Sequence, residues 1–236
     1  MIRALIVDDE IHAREEMAAL LSDIEDISVI GSCGNSIEAL KLINKLRPQV
    51  LFLDIQMPVI NGFELLNMVN QDIMPHVVFV TAFDQYSLKA FEEKTLDYLL
   101  KPVDSERLAK TIDKLRQAIG EKRPAKYTTE EILRIPCLLG NRVRLIGLAE
   151  VEFVSSTATG VHVTTMDGDY FTEITLKILE KRTKLLRCHK QYLINIDCLK
   201  EIVLLEGGMA RIITRTGKTI PVSRRYLKLI RKTLLI

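Results

Sequence analysis

Two short apolar runs in the first half of the chain end in acid. Ile2 to Val7, broken only by Arg3, runs into Asp8-Asp9-Glu10, and Val50-Leu51-Phe52-Leu53 runs into Asp54. Runs this short and this apolar predict strands buried on both faces, with the carboxylates at their carboxyl ends. Gln56-Met57-Pro58 and Asn61-Gly62 then break the extended run, which brings Asp54 to the mouth of a loop. Between these strands Ala13, Met17, Leu20 and Leu21 recur at helical spacing up to Ser22, and Ile27 to Ile30 reads as a strand closing on Gly31. Asn35 begins a capping-box pattern with Glu38 and opens a helix that stops at Pro48. Further on, the pattern predicts a helix over Phe63 to Val69, a strand over Val77 to Val80 ending at Thr81, and a helix over Ser87 to Glu93. A fifth strand, Leu96 to Leu100, ends at Lys101-Pro102, and a helix runs from Asp104 to Ile119. Strands and helices alternating five times with short connections predict a doubly wound (βα)5 parallel sheet, an α/β domain.

After Gly120 the pattern changes. GEKRPAKYTTEE, residues 120–131, is polar and without apolar periodicity, and reads as a solvated linker between domains 1–119 and 132–236. The second half alternates β-branched and polar residues. Ile132 to Ile135, Val143 to Ile146, Val151 to Val154, Val161 to Thr165 and Tyr170 to Thr172 read as strands, the last two joined at Asp167-Gly168. Thr175 caps a helix with Leu176, Leu179 and Leu185 on one side. Strands follow over Leu185 to Arg187, Tyr192 to Ile194, Ile202 to Leu205, Ala210 to Thr214 and Thr219 to Val222, and Ser223 caps a final helix with Leu227, Ile230 and Leu234. This is a mainly β module without the paired helices of a helix-turn-helix.

Charge divides at the same place. Residues 1–126 carry 15 Lys and Arg against 20 Asp and Glu, net −5, and residues 127–236 carry 18 against 11, net +7. The basic half suits nucleic acid or an anionic surface, although a solvated surface has this balance too. Cys33, Cys137, Cys188 and Cys198 have no C-x-x-C spacing, which argues for reduced thiols over a disulfide framework or zinc site. The first apolar run is too short for a signal segment and none elsewhere approaches bilayer length, so the protein reads as soluble and intracellular.

The strand ends carry the chemistry: Asp8 and Asp9 after the first strand, Asp54 after the third, Thr81 after the fourth, Lys101 after the fifth. Ligands of such sheets sit at the carboxyl ends of the strands. Carboxylates converging there repel one another, which suits a hard, oxygen-bound cation, with magnesium the natural occupant. Lys101 and Thr81 add an anion site beside it, so the set describes phosphoryl transfer to a carboxylate. In the second half the polar loops stand out: Ser155 to Gly160, Arg187 to Tyr192, and Ser223 to Tyr226 with Lys228, Arg231 and Lys232. They suit phosphates and base edges. Of the second half's histidines, His162 and His189, neither has metal-ligand spacing, and no nucleophile elbow or phosphate loop is present, so an enzymatic output is not expected.

VDDE, LDIQMP, TAF and KP resemble the receiver domain of two-component response regulators over residues 1–119. The resemblance implies that Asp54 is the phospho-acceptor, that Asp9, Asp54 and the Gln56 backbone carbonyl hold Mg2+, and that Asp8 completes the acidic pocket. It also implies that Thr81 and Lys101 bind the phosphoryl group, that Tyr98 is the aromatic switch, and that Lys101-Pro102 is cis. Ile11 departs from the proline that many relatives carry after DDE. FVSSTATGVHV, LLRCHKQYLINI and IPVSRRYLKLI resemble the signature segments of LytTR-type DNA-binding domains over residues 132–236. By that resemblance Lys190 and Arg224 read bases, while Arg187, His189, Arg225 and the 155–159 loop with Thr157 and Thr159 contact the DNA backbone or support the loops. Some members carry a larger polar side chain where Gly160 falls.

The whole chain thus resembles a LytTR-family response regulator. The resemblance implies a cytoplasmic, non-enzymatic protein phosphorylated by a membrane-bound, LytS-like sensor histidine kinase, which dimerises and binds promoter double-stranded DNA with repeated half-sites. Two alternatives stay open: a β module that docks a protein instead of DNA, and an enzyme acting on a small phosphorylated substrate at the acidic cleft.

Overall fold

Val50, Leu51, Phe52 and Leu53 are all buried, and the strand they form lies at the centre of a parallel sheet. The computed structural model describes residues 1–82, 95–121, 125, 130–140, 142–205 and 208–234; its contacts divide the chain into two units, Met1–Glu130 and Glu131–Ile236. In the first unit, β1 (Ile2–Val7), β2 (Ile27–Cys33), β3 (Val50–Leu53), β4 (His76–Thr81) and β5 (Asp97–Leu100) pair in the order β2-β1-β3-β4-β5. Val7 lies opposite Leu53, Leu53 opposite Phe79, and Thr81 opposite Leu100, so the carboxyl ends share one edge. Leu51, Phe52, Leu53 and Phe79 are at most 1% exposed. Each such side chain contributes about 1.5–3 kcal/mol through burial.

The helices of this unit are α1 (Ile11–Ser22), α2 (Ser36–Leu46), α3 (Gly62–Met68) and α4 (Ser105–Gly120). Asn35 caps α2 by accepting from the Glu38 amide at 2.9 Å, but Glu38 reaches back to the Asn35 side chain at 3.5 Å rather than to its amide. The full reciprocal cap is at Asn61, where the sequence pattern reads only as a break: Asn61 accepts from the Glu64 amide and Glu64 from the Asn61 amide, both at 2.9 Å. Leu108, Ile112 and Leu115 of α4 pack with Phe52, Val78 and Leu99. Several expected boundaries shift: β2 continues to Cys33, α3 runs from Gly62 to Met68, β4 starts at His76 and β5 at Asp97, and Gly120 ends α4 rather than starting the linker. The helix expected over Ser87 to Glu93 and most of the linker lie outside the described residues.

In the second unit, β6 (Arg134–Leu139), β7 (Arg142–Gly147), β8 (Phe153–Thr157), β9 (Gly160–Thr164), β10 (Asp169–Thr172), β11 (Leu186–His189) and β12 (Tyr192–Ile194) form one antiparallel sheet, ordered β11-β12-β8-β9-β10-β6-β7. A second sheet is built from β13 (Leu199–Leu204), β14 (Ala210–Thr214) and β15 (Thr219–Val222). The helices are α5 (Leu176–Arg182) and α6 (Arg224–Leu234). Leu185 lies beyond α5, not on its apolar side as the spacing suggests, because Thr183 ends the helix; it is nonetheless buried. Leu227 and Ile230 of α6 pack with Cys188, Ile194, Ile212, Ile220 and Val222. The sheets are tied by Glu152, 2% exposed, whose carboxylate accepts from the Thr216 hydroxyl at 2.7 Å.

The four cysteines are free, and burial pushes the thiols of Cys33, Cys137 and Cys188 up to about 12, so these stay protonated. No described helix is long and apolar enough to cross a membrane.

Candidate functional site

Because β1 and β3 are neighbours, their acidic ends meet. One carboxylate oxygen each from Asp8, Asp9 and Asp54 lie within 4.8 Å of one another. Asp8 and Asp54 are 4% and 6% exposed, while Asp9 is open to solvent. Lys101, delivered by β5, sets its ammonium 2.7 Å from Asp8, 3.2 Å from Asp54 and 3.4 Å from Glu10. Burial raises the Asp8 carboxyl above its ordinary value, against the opposing pull of Lys101 and the Glu10 amide. Burial works against the Lys101 charge, but the Asp8 hydrogen bond and the charge of Asp54 outweigh it and hold that pKa above its ordinary value. The Lys101-Pro102 peptide is cis.

The Asp54 loop is shaped by close packing. A Cβ at Gly62 would lie 2.6 Å from the Asp54 carbonyl oxygen, so glycine lets α3 start against the loop. The Gln56 amide donates to Asp54 Oδ1 at 3.3 Å. Thr81, at the end of β4, is fully buried and its hydroxyl has no hydrogen-bond partner among the described residues. Tyr98 lies on β5 opposite Phe79 and is half-buried. The strand ends therefore gather Asp8, Asp9, Asp54, Thr81 and Lys101 at one edge, and the sheet can hold a cation and an anion side by side there.

On the second unit, the three polar loops are hydrogen-bonded neighbours. The Ser156 amide donates to the Gln191 carbonyl at 2.9 Å, and the Ser223 amide donates to the Cys188 carbonyl at 3.1 Å. The row runs from the β8–β9 turn through the β11–β12 turn to the start of α6. Thr157, Thr159, Lys190, Arg224 and Arg225 are exposed along it. The Arg225 guanidinium lies 5.6 Å over the Tyr226 ring. Arg187 and His189 point back into the fold. Arg187 is 11% exposed, pairs with Glu180 at 2.7 Å and donates to the Lys190 carbonyl at 3.2 Å. His189 Nδ1 accepts from the Gln191 amide at 3.3 Å, and its ring lies 5.8 Å from Tyr192.

Several contributors escaped the sequence reading. Glu10 joins the lysine's ring of carboxylates. Arg14, one helical turn into α1, donates to the backbone carbonyls of Asp8 and Asp9 at 2.7 and 3.2 Å, pinning the acidic loop. Its acceptors are backbone carbonyls, which leave no mark in the sequence. Glu180 had none, because it reaches Arg187 only across the bend that joins the helix to the following strand.

Family comparisons agree with this geometry. The response regulator receiver domain matches residues 4–113 and the LytTr DNA-binding domain residues 141–235. A response regulatory protein of Vibrio vulnificus, itself uncharacterized, is 51% identical over 99% of this chain and 98% of its own length. A second, of Vibrio cholerae, is 51% identical over 99% of both chains. The transcriptional regulatory protein BtsR of Escherichia coli is 48% identical, again over 99% of both. The chain therefore belongs to the response regulators in which a receiver domain is joined to a LytTr DNA-binding domain.

Proposed function

We propose that Asp54 accepts a phosphoryl group from a sensor histidine kinase and that the phosphorylated protein controls transcription by binding promoter DNA through the basic face of its second unit. The reading rests above all on Asp54: it follows the last residue of the central strand, with the Lys101 ammonium 3.2 Å away and, at the end of the adjoining strand, the buried Thr81 hydroxyl, which has no partner among the described residues. A carboxylate oxygen attacks the phosphorus of the kinase's phosphohistidine; the P–O bond forms as the P–N bond breaks, and its electron pair stays on the imidazole nitrogen. Lys101 and Thr81 receive the phosphoryl oxygens, and Tyr98 follows Thr81 as the switch.

Asp8, Asp9 and Asp54 with the Gln56 backbone carbonyl would hold a magnesium ion, a fit supported by the all-oxygen donor set and its 4.8 Å spread. Bound there, the ion would supply positive charge that offsets the carboxylates and the incoming phosphoryl group. The receiver spans 1–119, the linker 120–131 and the output domain 132–236. Phosphorylation favours a homodimer on repeated half-sites, and the protein works in the cytoplasm, as a regulator rather than an enzyme, facing a membrane-bound, LytS-like kinase. On DNA, Lys190 and Arg224 read bases, Arg225, Thr157 and Thr159 hold the backbone, and Arg187 and His189 support the Lys190 turn.

Incubation with acetyl phosphate and magnesium is expected to add one phosphoryl group, measured by intact-protein mass, and Asp54→Asn is expected to abolish it. Undiminished labelling of the variant overturns the assignment. Binding of a promoter duplex should fall steeply with salt; a flat dependence would favour a protein partner instead.

A further inference from the structure

The turn between β8 and β9 carries its hydroxyls in a fixed array. Thr157 Oγ and Thr159 Oγ are 2.8 Å apart, and the Thr159 amide donates to Thr157 Oγ at 3.2 Å. Thr159 Oγ in turn lies 2.9 Å from His162 Nε2. His162 is itself placed by the sheet: it stands opposite Ser155 on one side and Phe171 on the other, and its ring meets the Phe171 ring edge-on at 5.8 Å. The Phe171 ring covers Gly160, whose φ is +122°, so that any Cβ there would run into it. With glycine under the Phe171 ring, position 160 puts no side chain out from this turn. What the turn offers to solvent is the Thr157–Thr159 pair, anchored at one end on an imidazole.

We propose that His162 is a positioning residue for DNA binding: it fixes the Thr159 hydroxyl, and through it Thr157, for contact with the phosphate backbone. The polarity of the chain suits an anionic acceptor. When Nε2 carries the proton and donates to Thr159 Oγ, and Thr157 is the donor of the hydroxyl pair, the Thr159 hydroxyl proton is left free to donate to a phosphate oxygen. The residue does not touch DNA, and the β9 strand pattern gives no sign of the role. The inference rests on the reading that Thr157 and Thr159 meet DNA, and the test separates the two.

The test uses full-length protein treated with acetyl phosphate and magnesium, and two duplexes: one selected from a random-sequence pool by the wild type, and one of random sequence. Thr159→Val and His162→Leu are each expected to weaken binding to both duplexes by roughly tenfold, with the salt slope unchanged, because a neutral hydroxyl displaces no counterion. The double variant should be no weaker than either single one. His162→Gln, whose amide can still meet Thr159, should keep most of the affinity, and His162→Phe should not. If Thr157→Val and Thr159→Val both bind as wild type, the turn is off the DNA and both readings fall. A weakened Thr159→Val beside an unchanged His162→Leu overturns the positioning role alone. Retention by His162→Phe with loss in His162→Gln would assign the imidazole to packing against Phe171.

Discussion

At the strand ends of the receiver, Asp8 and Asp54 are buried against a lysine that is itself largely covered, whereas Lys190, Arg224 and Arg225 of the output domain stand in solvent on turns and a helix start. The first group is held by mutual attraction at low effective dielectric, so its geometry is set before a ligand arrives and removing a partner leaves an uncompensated charge. The second group is screened by salt and costs the fold little, so its residues can be changed for binding without endangering the domain. Chemistry on one small group favours the first arrangement; tracking a long, uniformly charged polymer favours the second.

Lys101→Ala tests the contrast most severely. It leaves Asp8 and Asp54 buried without their ammonium, and is expected to destabilise the receiver by about 3–5 kcal/mol in metal-free buffer, with much of the loss recovered in excess magnesium. Urea unfolding followed by circular dichroism measures it, and equal stability of variant and wild type in both buffers would show that these charges are already solvated.

Next in size, Arg224→Ala should leave stability within about 0.5 kcal/mol of wild type. It should nevertheless cost about 1–3 kcal/mol at the cognate site and relax preference at one position in each half-site. A base-by-base substitution scan reads it; equal loss on every sequence would move specificity to Lys190.

A smaller effect sharpens the comparison from inside the output face. Arg187 behaves like a receiver charge, held by Glu180 against the Lys190 carbonyl. Arg187→Ala and Glu180→Ala should both lower affinity by about 1 kcal/mol without changing the salt slope. A slope flattened by roughly one unit in Arg187→Ala alone would put the guanidinium on a phosphate instead.

The remaining effects are in pH. Burial raises the Asp8 pKa above 3.8, so the folded receiver binds that proton more tightly than the unfolded chain, and this group's contribution declines as pH rises from 3.8 through the folded value. At Asp97 burial also works against the charge, but Arg107, Lys114, Thr111 and the Tyr98 amide outweigh it and hold the pKa well below 3.8. That contribution is complete above 3.8 and is lost as pH falls through the lower folded value. Asp97→Asn should therefore flatten the acid-side loss of stability and Asp8→Asn the opposing trend, both read from unfolding between about pH 2 and pH 6. Parallel curves for wild type and Asp97→Asn would remove that cluster from the acid response.

The receiver site was legible because a buried parallel strand is uniformly apolar and short: Leu53 to Asp54 is an abrupt change that only a strand end explains. The output domain hid more. β13 starts at Leu199 rather than Ile202, since it is the outer strand of its sheet and Lys200 and Glu201 face solvent, erasing the apolar start. β6 starts at Arg134 rather than Ile132, whose amide is instead spoken for by the Arg182 carbonyl at 2.8 Å. Arg187 could be recognised as a cation from sequence, but not its occupation by Glu180, because that pairing exists only once α5 packs against β8 and β12.

Thr81 gives the receiver a bias as well as a donor. Its buried hydroxyl lacks a hydrogen-bond partner among the described residues, and an unmatched buried donor of this kind raises the free energy of the state that contains it by about 1–3 kcal/mol. Any rearrangement that brings an oxygen acceptor to that hydroxyl is lowered by a similar amount relative to one that does not. In population terms that is a factor of about 5 to 150, so one side chain could turn a conformation present in a few per cent of molecules into the prevailing one.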